Sequence, residues 1–391
     1  MRNEPLRILM LAPTPYFADR GCHVRIYEEA RALLRRGHDV RIVTYHLGRD
    51  LPGVPTVRIP PVPWYRKLTA GPSWHKPYLD ILLLFKSLVV ARTFHPDIIH
   101  AHLHEGAFLG VFLKRLLGVP LLFDCQGSLT GEIVDHGFVR EGSLLYRLFQ
   151  GIEGFVNRGA DLIVTSSGPG AHDLRDRWQM AGDKVRVLMD GVDTDDFSPR
   201  SGADARRRLG IPPDVPVAVF LGVMNAYQGM DILLEAAGML GERGTKLHFL
   251  IMGFPEEGYR RMAVARGLAG RMTFTGRIDY ADAAALLSAG DVALAPKVSL
   301  TEANGKLFNY MACGLPVVAF DTPVNREILG ETGVYARFGD AGDFADRLEA
   351  LLANHEKRKE LARQSREKAV REHSWEARGG CLDALCRGLA G

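Results

Sequence analysis

The chain has 391 residues, of which 47% are hydrophobic and 24% charged, and its formal net charge is +3. These totals predict a globular protein of two or three domains, and so small a charge gives no support for nucleic-acid binding. The five cysteines are scattered and show no zinc spacing, which favours reduced thiols in the cytoplasm. The first apolar run is too short for a signal peptide, and no uncharged apolar stretch reaches the length of a transmembrane helix.

The chain opens with a strand, a helix and a second strand. The apolar run 7–13 predicts a buried strand, 25–37 an amphipathic helix and 38–46 another strand. This order is typical of a doubly wound parallel sheet, whose ligands lie at the carboxyl ends of the strands. Gly21 lies at such an end, where its backbone could approach a phosphate, and Arg25 begins the helix beside it. The alternative is that Gly21 only permits a tight turn.

Residues 52–78 are rich in proline and in aromatic and cationic side chains. Amphipathic rings together with cations suit a membrane interface with anionic headgroups. We therefore expect contact with an acceptor or a membrane surface through Trp64, Arg66, Lys67, Trp74 and Lys76. The alternative is an ordinary loop that leads into a core helix over 79–94.

Three histidines alternate in the next segment. His100, His102 and His104 share one face if 98–104 is a strand. Such a set invites a zinc site, but no carboxylate or cysteine is spaced in sequence to complete one. We therefore expect no metal.

The second half repeats the order of strand, glycine-containing loop and helix. Its first loop spans 222–229, and further strands and helices follow up to about residue 320. Within 295–321, a polar loop precedes a short helix that ends near Gly314, and an apolar strand follows. The amino end of such a helix suits a phosphate, although a capped surface helix with solvated charges fits the same pattern. The charged helical residues beyond 340 are expected to be solvated faces rather than a nucleic-acid surface.

Two stretches resemble family 4 glycosyltransferases, which are retaining enzymes of the GT-B fold. They are MACGLPVV at 311–318 and the segment from Asp190 to Asp193 with Phe197. The resemblance implies an α/β protein with two Rossmann-like, doubly wound parallel-sheet domains facing across a cleft. It places an acceptor-binding domain at 1–197 and a nucleotide-sugar domain at 198–370, and it returns a last helix, 371–391, to the first domain.

The resemblance also implies roles for particular residues. Glu302 matches the first family glutamate, which contacts the donor sugar, whereas the second, which holds the ribose, falls on Asn309. The family's diphosphate-clamping arginine and lysine are replaced by Val223 and Gln228, and Lys306 is the proposed compensation. The donor-binding set is Gly21, Arg25, Gly222, Asn225, Gln228, Arg277, Ile278, Lys297, Asn304, Gly305, Asn309 and Tyr310. The catalytic set is Glu302, Lys306 and Gln126, of which Gln126 stands where the family often has a histidine.

The expected reaction is transfer of a sugar, with retention, from a nucleotide-diphosphate sugar to a glycan or lipid-linked acceptor. No dinucleotide cofactor is expected, because Gly168 and Gly170 are only a fragment of a dinucleotide fingerprint, with Asp173 in place of its third glycine. The resemblance implies that no metal is needed either. The expected location is the cytoplasm, at the inner face of the membrane. Two alternatives remain open. One is a degenerate protein that binds a carbohydrate or a partner. The other is a sugar-nucleotide epimerase that uses Asp124, Glu132 and His136.

Overall fold

The computed structural model describes residues 4–68, 73–135, 137–300 and 303–391, so Glu302 and His136 lie outside the described residues. The chain forms two compact units, Met1–Met189 with Arg378–Gly391, and Asp190–Ala377. The division therefore falls between Met189 and Asp190, whereas the family resemblance implied a boundary at residue 197. Within the described ranges, no helix combines the length and the apolar content that a membrane crossing requires.

The first unit is built on a seven-stranded parallel sheet with the order β3-β2-β1-β4-β5-β6-β7. Its strands are β1 (Arg7–Ala12), β2 (Asp39–Thr44), β3 (Thr56–Arg58), β4 (Ile98–His102), β5 (Leu121–Cys125), β6 (Leu162–Thr165) and β7 (Val185–Val187). Its helices are α1 (Gly21–Arg35), α2 (Lys76–Phe94), α3 (Leu103–Leu117), α4 (Leu129–Asp135), α5 (Leu144–Gly159) and α6 (Gly168–Trp178). The central strands are almost entirely buried, which is why they are continuous apolar runs rather than alternating ones.

Three helices of the first unit form one layer over the sheet. Helix α3 packs against β4 and β5 and contacts α2 on one side and α5 on the other. Residues of these helices and of the strands beneath them share one hydrophobic core, which includes Leu83, Leu109 and Val156. Because these strands are parallel, the carboxyl ends of β1, β4 and β5 lie at one edge of the sheet.

The second unit has a six-stranded sheet, again parallel, with the order β10-β9-β8-β11-β12-β13. Its strands are β8 (Val217–Leu221), β9 (His248–Met252), β10 (Met272–Phe274), β11 (Val292–Ala295), β12 (Val317–Phe320) and β13 (Gly333–Ala336). Its helices are α7 (Ala203–Leu209), α8 (Met230–Glu242), α9 (Glu257–Ala265), α10 (Ala283–Leu287), α11 (Lys306–Ala312), α12 (Pro323–Leu329), α13 (Ala341–Ala353) and α14 (His355–Glu372). The last helix, α15 (Trp375–Ala390), begins among the residues of this unit and ends among those of the first.

The end of α15 is fixed to the first unit by packing and by polar contacts. A Cβ atom on Gly379 would lie 2.7 Å from the Cβ atom of Ala32, so glycine allows this close approach. His38 Nε2 lies 2.8 Å from Asp383 Oδ1, and Arg387 donates to the carbonyl of Glu4 at 3.1 Å. These contacts join the two ends of the sequence within one unit.

The fold class predicted from the sequence, two Rossmann-like parallel-sheet domains, is confirmed. The expected strand-helix-strand opening is present, Gly314 follows α11 with a φ of +68°, and Val317–Phe320 is a buried strand. The prediction for His104 was wrong. The strand ends at His102, and His104 lies in the first turn of α3, with its ring 5.1 Å from that of Phe123.

Candidate active site

Four strands of the second sheet, β8 to β11, end along one edge, and the loops that leave them carry most of the predicted donor-binding residues. These are Gly222, Asn225, Gln228, Arg277, Ile278, Lys297, Asn304 and Gly305. Sheets of this kind bind ligands at the carboxyl ends of their strands. This edge, with the start of α11 beside it, is therefore the candidate donor site; the predicted Glu302 lies outside the described residues.

Lys306 is the first residue of α11, and its ammonium group is held by two neutral partners. Its Nζ donates to Gln228 Oε1 at 2.9 Å and lies 4.0 Å from the centre of the Phe220 ring. No carboxylate pairs with it in the described part of the chain. Burial is the main cause that lowers the pKa of Lys306 well below its ordinary value, and the nearby charge of Lys297 adds to this effect. A cation without a carboxylate partner is stabilised when an anion binds beside it.

The loop after β8 is folded back on itself by its own polar groups. Gln228 donates its backbone N–H to Asn225 Oδ1 at 2.8 Å, so Asn225 shapes the turn that presents the Gln228 side chain. At Gly222, φ is +147°, and a Cβ atom there would lie 3.1 Å from Lys306 Nζ. A larger residue at this position would crowd the ammonium group, so glycine leaves the space above Lys306 open.

Two predicted ligands are buried and serve the scaffold instead. Tyr310 is 0% exposed, and its hydroxyl accepts from the backbone N–H of Leu221 at 2.7 Å. It therefore fixes the end of β8 and cannot present itself to a ribose. Asn304 is also buried, and its Nδ2 faces Asn325 Oδ1 at 3.4 Å. The prediction that these two side chains contact the donor directly is corrected accordingly.

The remaining predicted donor residues lie around the same edge. Lys297 is almost fully buried; its Nζ donates to the carbonyl of Ala303 at 2.8 Å and lies 5.3 Å from the centre of the Tyr227 ring. Arg277 is exposed, with its guanidinium 4.8 Å from the Phe254 ring, and Ile278 beside it is half-buried. Asn309 lies half-buried one turn beyond Lys306, and Gly305 is exposed.

In the first unit, Arg25 lies inside a cluster of carboxylates. Its Nη2 is 2.8 Å from Asp124 Oδ1, its Nε is 3.0 Å from Glu29 Oε1, and its Nη1 donates to the carbonyl of Leu188 at 3.1 Å. All three charged side chains are almost completely buried. The prediction that Arg25 binds phosphate is therefore replaced by a structural role. The spacing of Arg25 and Glu29 was a signal for one half of this cluster, but Asp124, from another strand, carried none.

Asp124 connects this cluster to Gln126. Asp124 Oδ2 accepts from Gln126 Nε2 at 2.7 Å and from His102 Nδ1 at 3.0 Å. Burial acts to raise the pKa of Asp124, but the charge of Arg25 and the hydrogen bond from His102 outweigh it, and the pKa ends below its ordinary value. Asp124 is thus ionised and accepts only. The half-buried amide of Gln126 is anchored at the carboxyl end of β5.

The same cluster includes two of the three histidines that suggested a zinc site. Glu29, His100 and His102 offer ligand atoms that lie within 4.8 Å of one another, so a carboxylate does approach the histidines, contrary to the expectation from sequence spacing. However, the Arg25 guanidinium contacts Glu29, and His102 Nδ1 is bound to Asp124. A guanidinium at this distance repels a dication, and we interpret the cluster as an ion-pair network.

Gly21 is the first residue of α1, and among the described residues no atom outside its own helix backbone and chain neighbours lies within 4 Å of where its Cβ would be. The loop before it is fixed by His23, which the sequence interpretation missed. His23 Nδ1 accepts from the backbone N–H of Ala18 at 2.9 Å, and its Nε2 lies 2.7 Å from Thr14 Oγ1. The backbone N–H groups of this turn thus have a defined position at the carboxyl end of β1.

The residues expected at a membrane or acceptor differ in how accessible they are. Trp64 and Trp74 are both 71% exposed, and the Trp74 ring lies 4.9 Å from that of Phe138. Arg66 is exposed and Lys67 half-buried. Lys76 is paired with Glu105. Burial acts to lower the pKa of Lys76, but the charges of Glu105 and Glu132 raise it above its ordinary value. Lys76 is therefore not a free cation for headgroups.

Two α/β units, each built on a parallel sheet, are the architecture expected of the GT-B class of glycosyltransferases. The family model described as "Glycosyl transferase 4-like domain" matches residues 20–191, and the model described as "Glycosyl transferases group 1" matches residues 215–354. The chain belongs to this glycosyltransferase family.

Curated relatives agree with this assignment, and a solved structure shares the fold. The chain is 30% identical over 371 residues to the D-inositol 3-phosphate glycosyltransferase of Thermomonospora curvata, a match that covers 88% of this chain and 84% of that protein. It is 28% identical to the phosphatidyl-myo-inositol mannosyltransferase of Mycobacterium leprae, with 95% and 93% covered. Its fold is similar to that of Anabaena HepE, solved in complex with UDP-glucose, with a TM-score of 0.79 and 17% identity over 98% of this chain and 100% of that one.

Proposed function

We propose that this glycosyltransferase takes its sugar from a nucleotide-diphosphate sugar bound at the carboxyl edge of the second sheet. The observation that carries the proposal is Lys306, whose ammonium group has Gln228 and the Phe220 ring as neighbours and no described carboxylate partner. A diphosphate oxygen would replace Gln228 Oε1 as the hydrogen-bond acceptor and supply the missing negative charge. In this way Lys306 compensates for Val223 and Gln228, which stand where the family has its cations.

The reaction we propose retains the configuration at the anomeric carbon. The bond from that carbon to the diphosphate oxygen breaks with its electron pair going to the diphosphate. A new bond forms on the same face to an acceptor hydroxyl, whose proton passes to the departing phosphate oxygen. No protein nucleophile or base is needed. The chain stabilises the leaving charge through Lys306, and Gln126 orients a hydroxyl. Glu302 keeps its expected contact with the donor sugar as part of this proposal.

We further propose an acceptor that carries a phosphate or a lipid, such as an inositol phosphate or a phosphatidylinositol. Two similar proteins are named for acceptors of these classes. The exposed rings of Trp64 and Trp74, with Arg66 nearby in sequence, favour access at a membrane surface. The protein would then work in the cytoplasm at the inner face of the membrane.

Calorimetry tests the donor site directly. UDP, GDP, ADP, TDP and CMP are titrated into the wild-type chain and into Lys306→Met, each with and without its common sugars. We expect one nucleoside diphosphate to bind at about micromolar affinity, and the loss of one charge-assisted contact in Lys306→Met to weaken it by about tenfold or more. Lys246→Met is a matched control, because it removes a lysine that lies away from this edge in the sequence segment before β9.

The competing proposal is a degenerate chain that binds a carbohydrate or a partner and has lost the donor. Val223 and Gln228 favour it, because they remove two cations from the diphosphate loop. Absence of binding by every nucleotide at millimolar concentration, with the protein still folded, would decide for this alternative.

A further inference from the structure

The outer side of the α2, α3 and α5 layer exposes large apolar side chains. Ile81, Phe85 and Val89, each four residues after the last, are 53%, 62% and 56% exposed along one face of α2. The neighbouring helices expose similar pairs, Phe112 and Leu116 on α3, and Leu144 and Leu148 on α5. We call these seven residues the apolar face.

The apolar face is one surface rather than three separate patches. Helix α3 lies between α2 and α5 and contacts both, and the Phe112 ring lies 6.0 Å from that of Phe155 on α5. All seven side chains are exposed on helices that pack on the same side of the sheet. Exposed apolar side chains gathered in this way mark an interaction site, whereas isolated ones need no explanation.

Helix α2 is apolar on both of its sides. Leu79, Leu83 and Val90 face the core, while Ile81, Phe85 and Val89 face away from it. A helix at the surface of a globular unit normally turns a polar side outward. The outward side of α2 is therefore suited to a second apolar environment.

The exposed charges on this layer are all of one sign. The acidic residues of the three helices bond to groups of the unit itself: Asp80 to Tyr45, Glu105 to Lys76 and Glu153 to Thr130. The exposed charged side chains on the layer are all cationic: Arg92, Arg115, Arg147 and Arg158. An apolar surface bordered by arginines complements an anionic lipid surface, where the rings and aliphatic chains enter the interface and the guanidinium groups meet the headgroups.

We infer that the apolar face is the surface by which this protein docks on an anionic lipid bilayer. The inference deepens the membrane contact of the proposed function, and it assigns the main contact to the helical layer rather than to the loop of Trp64 and Trp74. Docking does not depend on donor binding, so the two can fail separately.

The full-length protein is mixed with vesicles of phosphatidylcholine alone, or of phosphatidylcholine with phosphatidylglycerol, and floated on a density gradient. We expect binding only to the anionic vesicles, with weaker binding at high salt. The triple variant Ile81→Ser, Phe85→Ser, Val89→Ser should partition about tenfold or more weakly. The control is Val187→Ser, Val264→Ser, Val370→Ser, which alters three exposed valines outside the layer and should bind like wild type.

Arg92→Glu, Arg115→Glu tests the cations separately, and it should abolish the preference for anionic vesicles. Circular dichroism and thermal unfolding of each variant show whether the first unit, which carries the substitutions, is still folded. The inference is overturned if wild-type protein does not float with anionic vesicles, or if the triple variant floats as well as wild type. It is also overturned if light scattering shows a dimer that only the triple variant dissociates, because a second copy then covers the apolar face.

Discussion

Asp124 Oδ2 lies 2.7 Å from the amide nitrogen of Gln126, two residues further along the chain. Because an ionised carboxylate can only accept, this contact fixes which end of the Gln126 amide points inward. The Gln126 Oε1 atom is then left to accept a hydrogen bond from a hydroxyl group. The buried cluster that includes Asp124 of β5 thus sets which end of the Gln126 amide faces the place where we propose the acceptor.

Asp124→Asn should release this orientation, because an asparagine can donate to Gln126 Oε1 as well as accept from its nitrogen. We expect kcat for sugar transfer to fall by about tenfold or more, as misplaced groups commonly cause. Steady-state kinetics compare Asp124→Asn, Gln126→Ala and the double variant. If Asp124 acts through Gln126, its substitution adds little in the Gln126→Ala background. If Asp124→Asn lowers kcat equally in the wild-type and in the Gln126→Ala protein, Asp124 has only a structural role.

Arg25→Met leaves Asp124 and Glu29 without their shared cation. Breaking a buried ion pair from one side costs about 3–5 kcal/mol, so urea unfolding at neutral pH should show a loss of that order. The pKa of Asp124 is depressed in the folded protein, so its stabilising contribution is present above the carboxyl's ordinary pKa and is lost as pH falls through the depressed value. The difference in the free energy of unfolding between wild type and Arg25→Met should therefore become smaller at acidic pH.

Arg31→Met is the matched control for that substitution. Arg31 lies on the same helix and pairs with Glu28 at 3.0 Å; the Arg31 side chain is 22% exposed, although Glu28 is 1% exposed. We expect a smaller loss than in Arg25→Met, because this substitution takes a cation from one buried carboxylate rather than two. Similar losses in both variants would contradict the view that burial makes the Arg25 cluster critical.

The sequence predicted the two sheets because buried parallel strands are continuous apolar runs, as in β1 and β12. It also predicted the position of Lys306, since α11 and the strand after it follow a recognisable pattern. It could not show that Tyr310 points inward, because helical spacing does not reveal which side of a short helix faces a strand. Nor could it show that Arg25 meets Asp124, 99 residues away in sequence, since that contact depends on the order of the strands.

The raised pKa of Asp80 predicts that the stability of the protein depends on pH. Burial, with a further contribution from Glu105, raises its pKa to about 7, although the Tyr45 hydroxyl donates to it. Between its ordinary pKa and about 7, the folded state holds a proton that the unfolded chain has lost, so stability falls as pH rises. Asp80→Asn removes this penalty and keeps an acceptor for Tyr45. We expect a gain of about 1–2 kcal/mol at pH 8, allowing for partial exposure.

That gain should shrink as the pH is lowered toward the ordinary pKa of the carboxyl and vanish below it, because the wild-type carboxyl is then protonated in both the folded and the unfolded state. Denaturant titrations at several pH values measure it. Asp161→Asn is a useful comparison, because the Asp161 carboxylate bonds Lys114 and is more exposed. Asp161 accepts from Lys114 and from the backbone N–H of Leu121, so its substitution should be neutral or destabilising. A pH-independent effect of Asp80→Asn would show that its carboxyl is not the titrating group.

The lowered pKa of Lys306 predicts how donor affinity changes with pH. Its pKa is lowered in the free protein by burial and by Lys297, and a bound diphosphate favours the charged form. Binding is therefore strongest below the lowered pKa, and above it the affinity should fall by up to about tenfold per pH unit, because a proton must be taken up. Calorimetry in buffers of different ionisation enthalpy measures this proton uptake. Lys306→Arg keeps its charge throughout, so its affinity should be independent of pH in the same range.

The free protein should become more stable in Lys306→Met, because the cost of desolvating an ammonium group is removed. A wild-type affinity that does not change with pH, together with no gain in the stability of Lys306→Met, would place the diphosphate away from this lysine.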